Sequence, residues 1–361
     1  MPRALVVAAA WAWRLLVIAG ALALLVVALR ATSLIVVPLA VAVLFAALLS
    51  PVVGTVTTRT PLRRGAASGV VLLLTVVVVF GLLALAGSQL ASGAGSMRAS
   101  AEQGVTQVAD WLRTGPLHLT SAQLGEYLAK AQQSLKGNSH ALTSGLLSAG
   151  TSAGHFVAGF LICLIATFFF LAEGGQIWRF FVRMLPQAAQ QPTFEAFRRG
   201  WVSVGHYART QVIVAGVDAV GIGLGALVLR LPFVVPLTLL VFLSSFVPIV
   251  GAIVSGAVAV LVALVAKGPT AALVMLAVVI IVQQLETHVL QPFLMGRAVA
   301  LHPLAVIAAV AIGSFLLGIV GALFAVPVLA MANSVIRYYV GDDTVPQLGV
   351  DSPPPPEPEA S

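Results

Sequence analysis

Two carboxylates in this chain stand where carboxylates are expensive. Asp218 and Glu286 fall inside long apolar runs, whereas the other acidic residues lie in polar stretches. An ionised side chain facing lipid at the centre of a bilayer costs at least about 2.5–3.5 kcal/mol, so such groups face a protein interior, water or a partner. The chemistry open to them is the holding of a proton or a cation. A structural reading competes, in which a protonated Asp is hydrogen-bonded between helices and serves packing alone. Asp218 lies about nine residues beyond Arg209, roughly 13 Å along a helix and so near mid-bilayer. Glu286 shares a helical face with Gln283 and Thr287, and Gln284 and His288 flank it. The topology read from the sequence puts it nearer the outer end of its span, beside a helix break at Pro292, and this convergence of polar groups favours an ion or substrate pathway.

Other constellations carry less chemistry. His302 precedes Pro303, which suits a residue at the turn into the last span, or a gate. The histidines show no H-E-x-x-H or similar ligand spacing, and Cys163 is the single cysteine, so neither a metal nor another cofactor is implied. Gly150 to Gly154 reads G-x-S-x-G around Ser152. That pattern needs a strand-to-helix turn on an α/β sheet, which this sequence does not offer, so no hydrolase or other enzyme is expected. No G-x-x-x-x-G-K-S/T motif is present, which excludes ATP as an energy source within this chain. Gly221, Gly223 and Gly225 form a small-residue face suited to close helix approach, and their spacing is not a dinucleotide fingerprint.

The elements that must position these groups follow from composition. Of 361 residues, 60% are hydrophobic and 9% charged, against roughly 25% charged in soluble domains. Apolar runs of about 20 residues, each long enough to cross roughly 30 Å of hydrocarbon, predict an all-α integral membrane protein rather than a barrel. About eight transmembrane helices are expected, at 11–29, 33–51, 68–90, 152–173, 210–229, 236–266, 270–291 and 303–337. Pro248 and Gly251 predict a broken helix within 236–266. The first two spans read as a retained hairpin rather than a cleaved signal, because only Arg30, Ala31 and Thr32 separate them.

Charge gives orientation. With the N-terminus inside, twelve Lys/Arg residues, Lys267 among them, fall on the inner side, and only Arg30, Arg230 and Arg297 fall in short outer turns. This predicts a multi-pass protein with both termini cytoplasmic. The formal charge of +7 is dispersed around the spans, so membrane lipids with anionic headgroups are the expected partner, and not nucleic acid.

Residues 1–340 thus read as one transmembrane unit. Within it, 91–151 is a helical extracytoplasmic loop, with Leu124, Leu128, Ala131 and Leu135 at helical spacing and Thr120 and Gln123 placed as a capping box. The 174–208 segment is cytoplasmic. It opens with Ile177, Phe180, Phe181, Met184 and Leu185 on one face and Arg179 and Arg183 toward phosphates, the pattern of an interfacial helix ended by Pro186. Packing of that helix on the bundle is the alternative. Residues 341–361, with consecutive prolines from Pro353 to Pro356 and acidic residues, read as a disordered tail.

Four stretches in the second half form a familiar set: Phe246-Val-Pro-Ile-Val-Gly251, Gln284-Leu-Glu-Thr-His-Val-Leu-Gln-Pro292, Gly296-Arg-Ala-Val-Ala-Leu-His-Pro303 and Gly318-Ile-Val-Gly-Ala-Leu-Phe-Ala-Val-Pro327. Together they resemble the AI-2E family of bacterial membrane transporters, most specifically from Gln211 to Arg337. The resemblance implies an eight-span, homo-oligomeric inner-membrane permease. The family name refers to export of the autoinducer-2 signal, and similar proteins are linked to sodium/proton antiport and other permease roles. Matching positions are Pro248, Gly251, Glu286, Pro292, Gly296, His302, Pro303, Gly318, Gly321 and Pro327. Ile249 departs from the tyrosine that many relatives carry between Pro and Gly, and Asp218 has no matching position.

The function expected from these readings is export of a small solute, such as an autoinducer-2-like signal, with H⁺ or Na⁺ as coupling ion. A Na⁺/H⁺ antiporter is the alternative, as is a passive channel or membrane scaffold in which the acids only hold helices together.

Overall fold

The computed structural model describes residues 3–114, 139–247, 250–290 and 302–341, and among these it is helical without strands. The elements are α1 (Arg3–Ala31), α2 (Ser33–Arg59), α3 (Arg64–Thr114), α4 (Ser139–Arg183), α5 (Gln187–Val228), α6 (Val234–Ser244), α7 (Val250–Lys267), α8 (Pro269–Leu285) continued by a π-helical turn (Glu286–Leu290), and α9 (Pro303–Val340). Seven of the described helices are long and apolar enough to cross a membrane by length and composition, and α6 and α7 are shorter apolar helices.

Small residues let the first helices approach closely. Ala46, Leu49 and Val53 of α2 are buried against Ala67 and Val71 of α3 and Leu171 of α4. Pro38 and Pro51 sit inside α2, and the Thr55 hydroxyl donates to the Pro51 carbonyl at 2.9 Å. Arg64 Nε donates to the Leu171 carbonyl at 3.0 Å, and Phe80 meets Phe160 edge-on with centroids 5.4 Å apart.

The pillar of the molecule is α5. Its 42 residues extend about 63 Å at 1.5 Å per residue. The lower half receives the last part of α9: Gly200 lies against Met331, Ser203 and Ser334 hydroxyls are 2.6 Å apart, and Arg199 stacks over the Tyr338 ring at 4.4 Å. The upper half receives α6 and α8. A Cβ at Gly221 would meet Val282 at 2.7 Å and one at Gly225 would meet Val278 at 2.6 Å, while Gly223 lies on Thr238. The small-residue face thus does what its spacing predicted.

These contacts also fix chain direction. Thr238 pairs with Gly223 and Ser245 with Asp218, so α6 descends beside α5. Gly256 of α7 touches Val279 of α8, whose neighbours Val278 and Val282 touch Gly225 and Gly221, so α7 climbs again. The 236–266 stretch is therefore broken, and it is also reversed: α6 and α7 form a hairpin. Gly251 lies against the Ser244 carbonyl, a closeness that leaves no room for a Cβ. Lys267 consequently ends on the same side as Arg230, not on the opposite side as its count in the charge rule assumed. Moving one basic residue leaves the bias of the short loops in place.

The last expected span, 303–337, is likewise two arms. Leu317 (φ −131°, ψ 17°) and Gly318 (φ 63°, ψ −143°) leave the helical region, and Gly313 and Gly321 then touch backbone to backbone. In a straight helix these two glycines would stand about 12 Å apart. Val310 packs with Ala322 and Val326 across the same hairpin.

Three other boundaries shift. Helix α3 runs on to Thr114 and α4 begins at Ser139, so both ends of the expected outer loop are helical extensions. Its capping box and leucine stripe lie outside the described residues. The 177–183 stretch is the continuation of α4 and 187–208 the beginning of α5, with Pro186 at the N-cap, in place of a separate interfacial helix. Ser152 sits within α4, without the strand a nucleophile elbow requires.

Candidate functional site

Helix α5 carries Tyr207, Gln211, Asp218 and Ile222 on one buried face, the i, i+4, i+11, i+15 repeat of a single stripe. The tip of the α6–α7 hairpin docks on this stripe. Gln211 Nε2 donates to the Ser245 carbonyl at 2.6 Å, and the Ser245 hydroxyl lies 3.1 Å from Asp218 Oδ2 and 2.9 Å from the Val241 carbonyl. Asp218 is 2% exposed. Its Oδ1 is buried with no hydrogen-bond partner, as is the Tyr207 hydroxyl.

Glu286 enters from α8. Val282 sits at Gly221, and one further turn brings Glu286 level with Asp218. The expectation that Glu286 lies toward the outer end of its span is thereby corrected. Because α6 and α7 form a hairpin, α8 runs downward along α5 and carries its end to mid-height. The helix also changes pitch at this residue: Glu286–Leu290 is a π turn, a local irregularity common where side chains are aimed for function.

Ser245 has one hydroxyl hydrogen and two acceptors in reach. With Asp218 ionised, the hydroxyl donates to Oδ2. With Asp218 protonated, the carboxyl donates to Ser245 Oγ and the serine donates to Val241. The Ser245–Oδ2 hydrogen bond therefore persists in either protonation state without moving a heavy atom. The C-terminal end of α6 places the negative pole of a helix dipole beside the same carboxyl, an environment suited to a proton or cation.

The remaining sequence candidates are distributed around this pair. Gln283 lines a cavity of ≈550 Å³ between α7 and α8 with Ala252, Gly256 and Val279. Gln284 and Thr287 are exposed, and the Gln284 carbonyl lies 3.2 Å from His288 Nδ1. His302 is the N-cap of α9, its Nδ1 accepting from the Leu304 amide at 3.2 Å, which is the turn role. Gly251, Gly318 and Gly321 stand at the two hairpins, Pro303 opens α9 and Pro327 lies within its second arm. Pro248, Pro292 and Gly296 lie outside the described residues. Gln211, Ser245 and Tyr207 were not singled out from sequence, although Gln211, seven residues before Asp218 in an apolar run, was the available signal.

A second hollow of ≈840 Å³ lies between α2, α3, α4 and the tip of the α9 hairpin, where Leu317 and Val320 form part of its wall. Thr75 and Thr167 also line it, with hydroxyls bonded to carbonyls of their own helices at 2.8 and 2.7 Å, and Ser33, His155 and Cys163 are the other polar residues of a mostly apolar wall. Arg30, at the end of α1, donates from Nε to the Leu316 carbonyl at 2.8 Å and from an NH₂ to the Phe315 carbonyl at 2.9 Å. It caps the first arm of the hairpin where that arm runs out of partners.

Two apolar hairpins packed on a polar-striped pillar, with the buried carboxyl of Asp218 at the tip of one and Glu286 level with it, define a polytopic helical membrane protein of transporter type. The chain matches the AI-2E family transporter family over residues 15–341, and it belongs to that family. It is 39% identical over 333 residues to the "Putative transport protein MT0215" of Mycobacterium tuberculosis (strain CDC 1551 / Oshkosh), covering 92% of this chain and 90% of that one. It is 27% identical over 201 residues to the "AI-2 transport protein TqsA" of Escherichia coli (strain K12), covering 55% and 57% respectively. A similar stretch, 27% over 212 residues and 57% of each chain, relates it to the "Putative transport protein YueF" of Bacillus subtilis (strain 168). Membrane transport is accordingly the role of the family to which it belongs.

Proposed function

We propose that this protein is a secondary transporter that exports a small solute across the bacterial inner membrane and couples that movement to H⁺ or Na⁺ at Asp218 and Glu286. The observation that carries the reading is a buried carboxyl at the tip of a broken, apolar hairpin, Asp218, whose Oδ1 has no partner, with a second carboxyl residue, Glu286, brought level with it by α8. A carboxyl retained only for packing would have both oxygens satisfied, since an unpaired buried polar atom costs about 1–3 kcal/mol. The Ser245 hydroxyl supports a proton as the ion, because it fits both states of Asp218.

The ≈840 Å³ hollow beneath the α9 hairpin lies in the size range of small-molecule sites, roughly 300–1,000 Å³, and supports a solute chamber there. In this reading Pro248, Gly251, Pro292, Gly296, Pro303, Gly318, Gly321 and Pro327 permit the bends that alternate access requires. The similarity to an AI-2 transport protein makes autoinducer-2 the first solute to test, with a Na⁺/H⁺ exchange mode next. Both termini are cytoplasmic, from the Lys/Arg bias, and the exposed apolar length of α1 suits assembly into a homo-oligomer.

Purified protein in proteoliposomes, offered autoinducer-2, Na⁺ and H⁺ in separate experiments, tests the reading. Saturable flux that responds to an imposed ion gradient supports a coupled carrier. Flux that rises linearly with solute and ignores the gradient makes it a passive channel.

A further inference from the structure

At the end of the molecule that carries Arg59, Arg63, Arg64, Arg179 and Arg183, a cavity of ≈480 Å³ opens between α2, α4, α5 and the second arm of α9. It has no part in the carboxyl site. Its wall is a run of stacked rings: Trp178 and Phe197 have centroids 3.5 Å apart at 16°, and Phe197 and Trp201 follow at 6.4 Å and 24°. Its charged lining is Arg64 and Arg198, and no acidic side chain lines it.

Three side chains with nitrogen donors, Arg64, Trp178 and Arg198, line the cavity. Arg64 spends Nε on the Leu171 carbonyl at 3.0 Å, which fixes the plane of its guanidinium while two terminal NH₂ groups remain on the fork. Glu195 binds Arg199 at 2.9 Å and Arg198 at 3.5 Å, holding Arg198 in place from outside the cavity. The Trp178 indole N–H is buried and has no hydrogen-bond partner, although buried indoles ordinarily find one. Two guanidiniums and an unsatisfied N–H beside an aromatic wall match one kind of ligand: an anionic oxygen cluster attached to an apolar body.

From this arrangement we infer that the cavity binds a phosphoester amphiphile, with its phosphate between Arg64, Arg198 and Trp178 and its apolar part along the Phe197 and Trp201 rings. The position among basic residues at one membrane end makes a phospholipid of that leaflet the first source, and a soluble phosphoester the second. Met331 of α9 also lines the cavity, so an occupant would brace the second arm of that hairpin against α4.

Native mass spectrometry of the full-length protein, titrated with phosphatidylglycerol, phosphatidylcholine, diacylglycerol and glycerol 3-phosphate, tests the site. One phosphatidylglycerol is expected to bind in preference to phosphatidylcholine and diacylglycerol. Loss of a hydrogen bond to a charged group predicts about tenfold weaker binding in the Arg64→Gln, Arg198→Gln double variant. Trp178→Phe keeps the ring stack and removes only the N–H, and a several-fold loss is expected there even if the double variant folds poorly. Displacement by glycerol 3-phosphate at similar concentration would assign a soluble phosphoester, and its failure to displace would assign the lipid. Equal binding of phosphatidylglycerol and phosphatidylcholine, or unchanged binding in Trp178→Phe, overturns the inference.

Discussion

The Gln211 side chain donates to the Ser245 carbonyl at 2.6 Å, pinning the tip of the α6–α7 hairpin to the middle of α5. That bond holds Ser245 where its hydroxyl meets Asp218, so the geometry of the acid site depends on Gln211 as well as on the carboxyl itself. Substituting Gln211→Leu is expected to leave the Ser245 carbonyl without its donor and to destabilise the hairpin by about 1–3 kcal/mol, the cost of an unsatisfied buried acceptor. Hydrogen exchange at 241–247 checks this: faster exchange is expected there, with little change in α2.

Arg30 is the main polar tie between α1 and the α9 hairpin. Replacing it by Gln removes the cap from the Phe315 and Leu316 carbonyls. Since the arginine is exposed, solvent replaces part of what is lost, and the hairpin tip is expected to open about threefold to tenfold more often. The labelling rate of a cysteine introduced at Leu317 measures this, and an unchanged rate would remove Arg30 from control of the tip.

Gly318 adopts φ 63° and ψ −143°, a region close to that reserved for glycine, with nothing within 4 Å of the position a Cβ would take. Gly318→Ala therefore strains backbone alone and is expected to cost about 1–3 kcal/mol. Gly54→Ala, inside α2 and also in open space, is expected to be neutral or to stabilise by up to about 1 kcal/mol. Thermal unfolding of the two variants in one detergent should separate them in opposite directions.

At Gly225 the limit is space. A Cβ would stand 2.6 Å from Val278 Cγ1, so Gly225→Ala must push α8 away from α5, and Gly225→Val must do so further. Overpacking of about 1–3 kcal/mol is expected, larger for valine. Cross-linking between cysteines at 221 and 282 should fall in the same order.

Much of this was legible in the sequence. Asp218 was placed inside the bundle because a carboxylate facing lipid is too costly, and the glycines of α5 were read as a packing face from their spacing. Pro248 and Gly251 signalled a break. Hydropathy, however, measures the length of an apolar run and not its direction. The 236–266 and 303–337 runs are apolar throughout, so nothing in them distinguishes a long crossing from a hairpin, and Gly318 looks like any glycine in a membrane helix. Reversal of the first run is what turns α8 downward. That Glu286 stands level with Asp218 depends on that reversal, and a reading span by span put the two at different depths. Arg30 counted only as an orientation marker, because its partners are backbone carbonyls some 285 residues away.

The central claim is that the Asp218 and Glu286 carboxyls take up and release the ion that drives transport. Asp218→Asn and Glu286→Gln keep size and hydrogen-bonding capacity while removing the titrating group. Solute flux by each variant in proteoliposomes, measured with and without an imposed pH or Na⁺ gradient, is the direct test. Loss of the gradient response in both, with solute binding retained, is the predicted result. Flux that keeps its wild-type rate and ionic requirement in both variants would contradict the account.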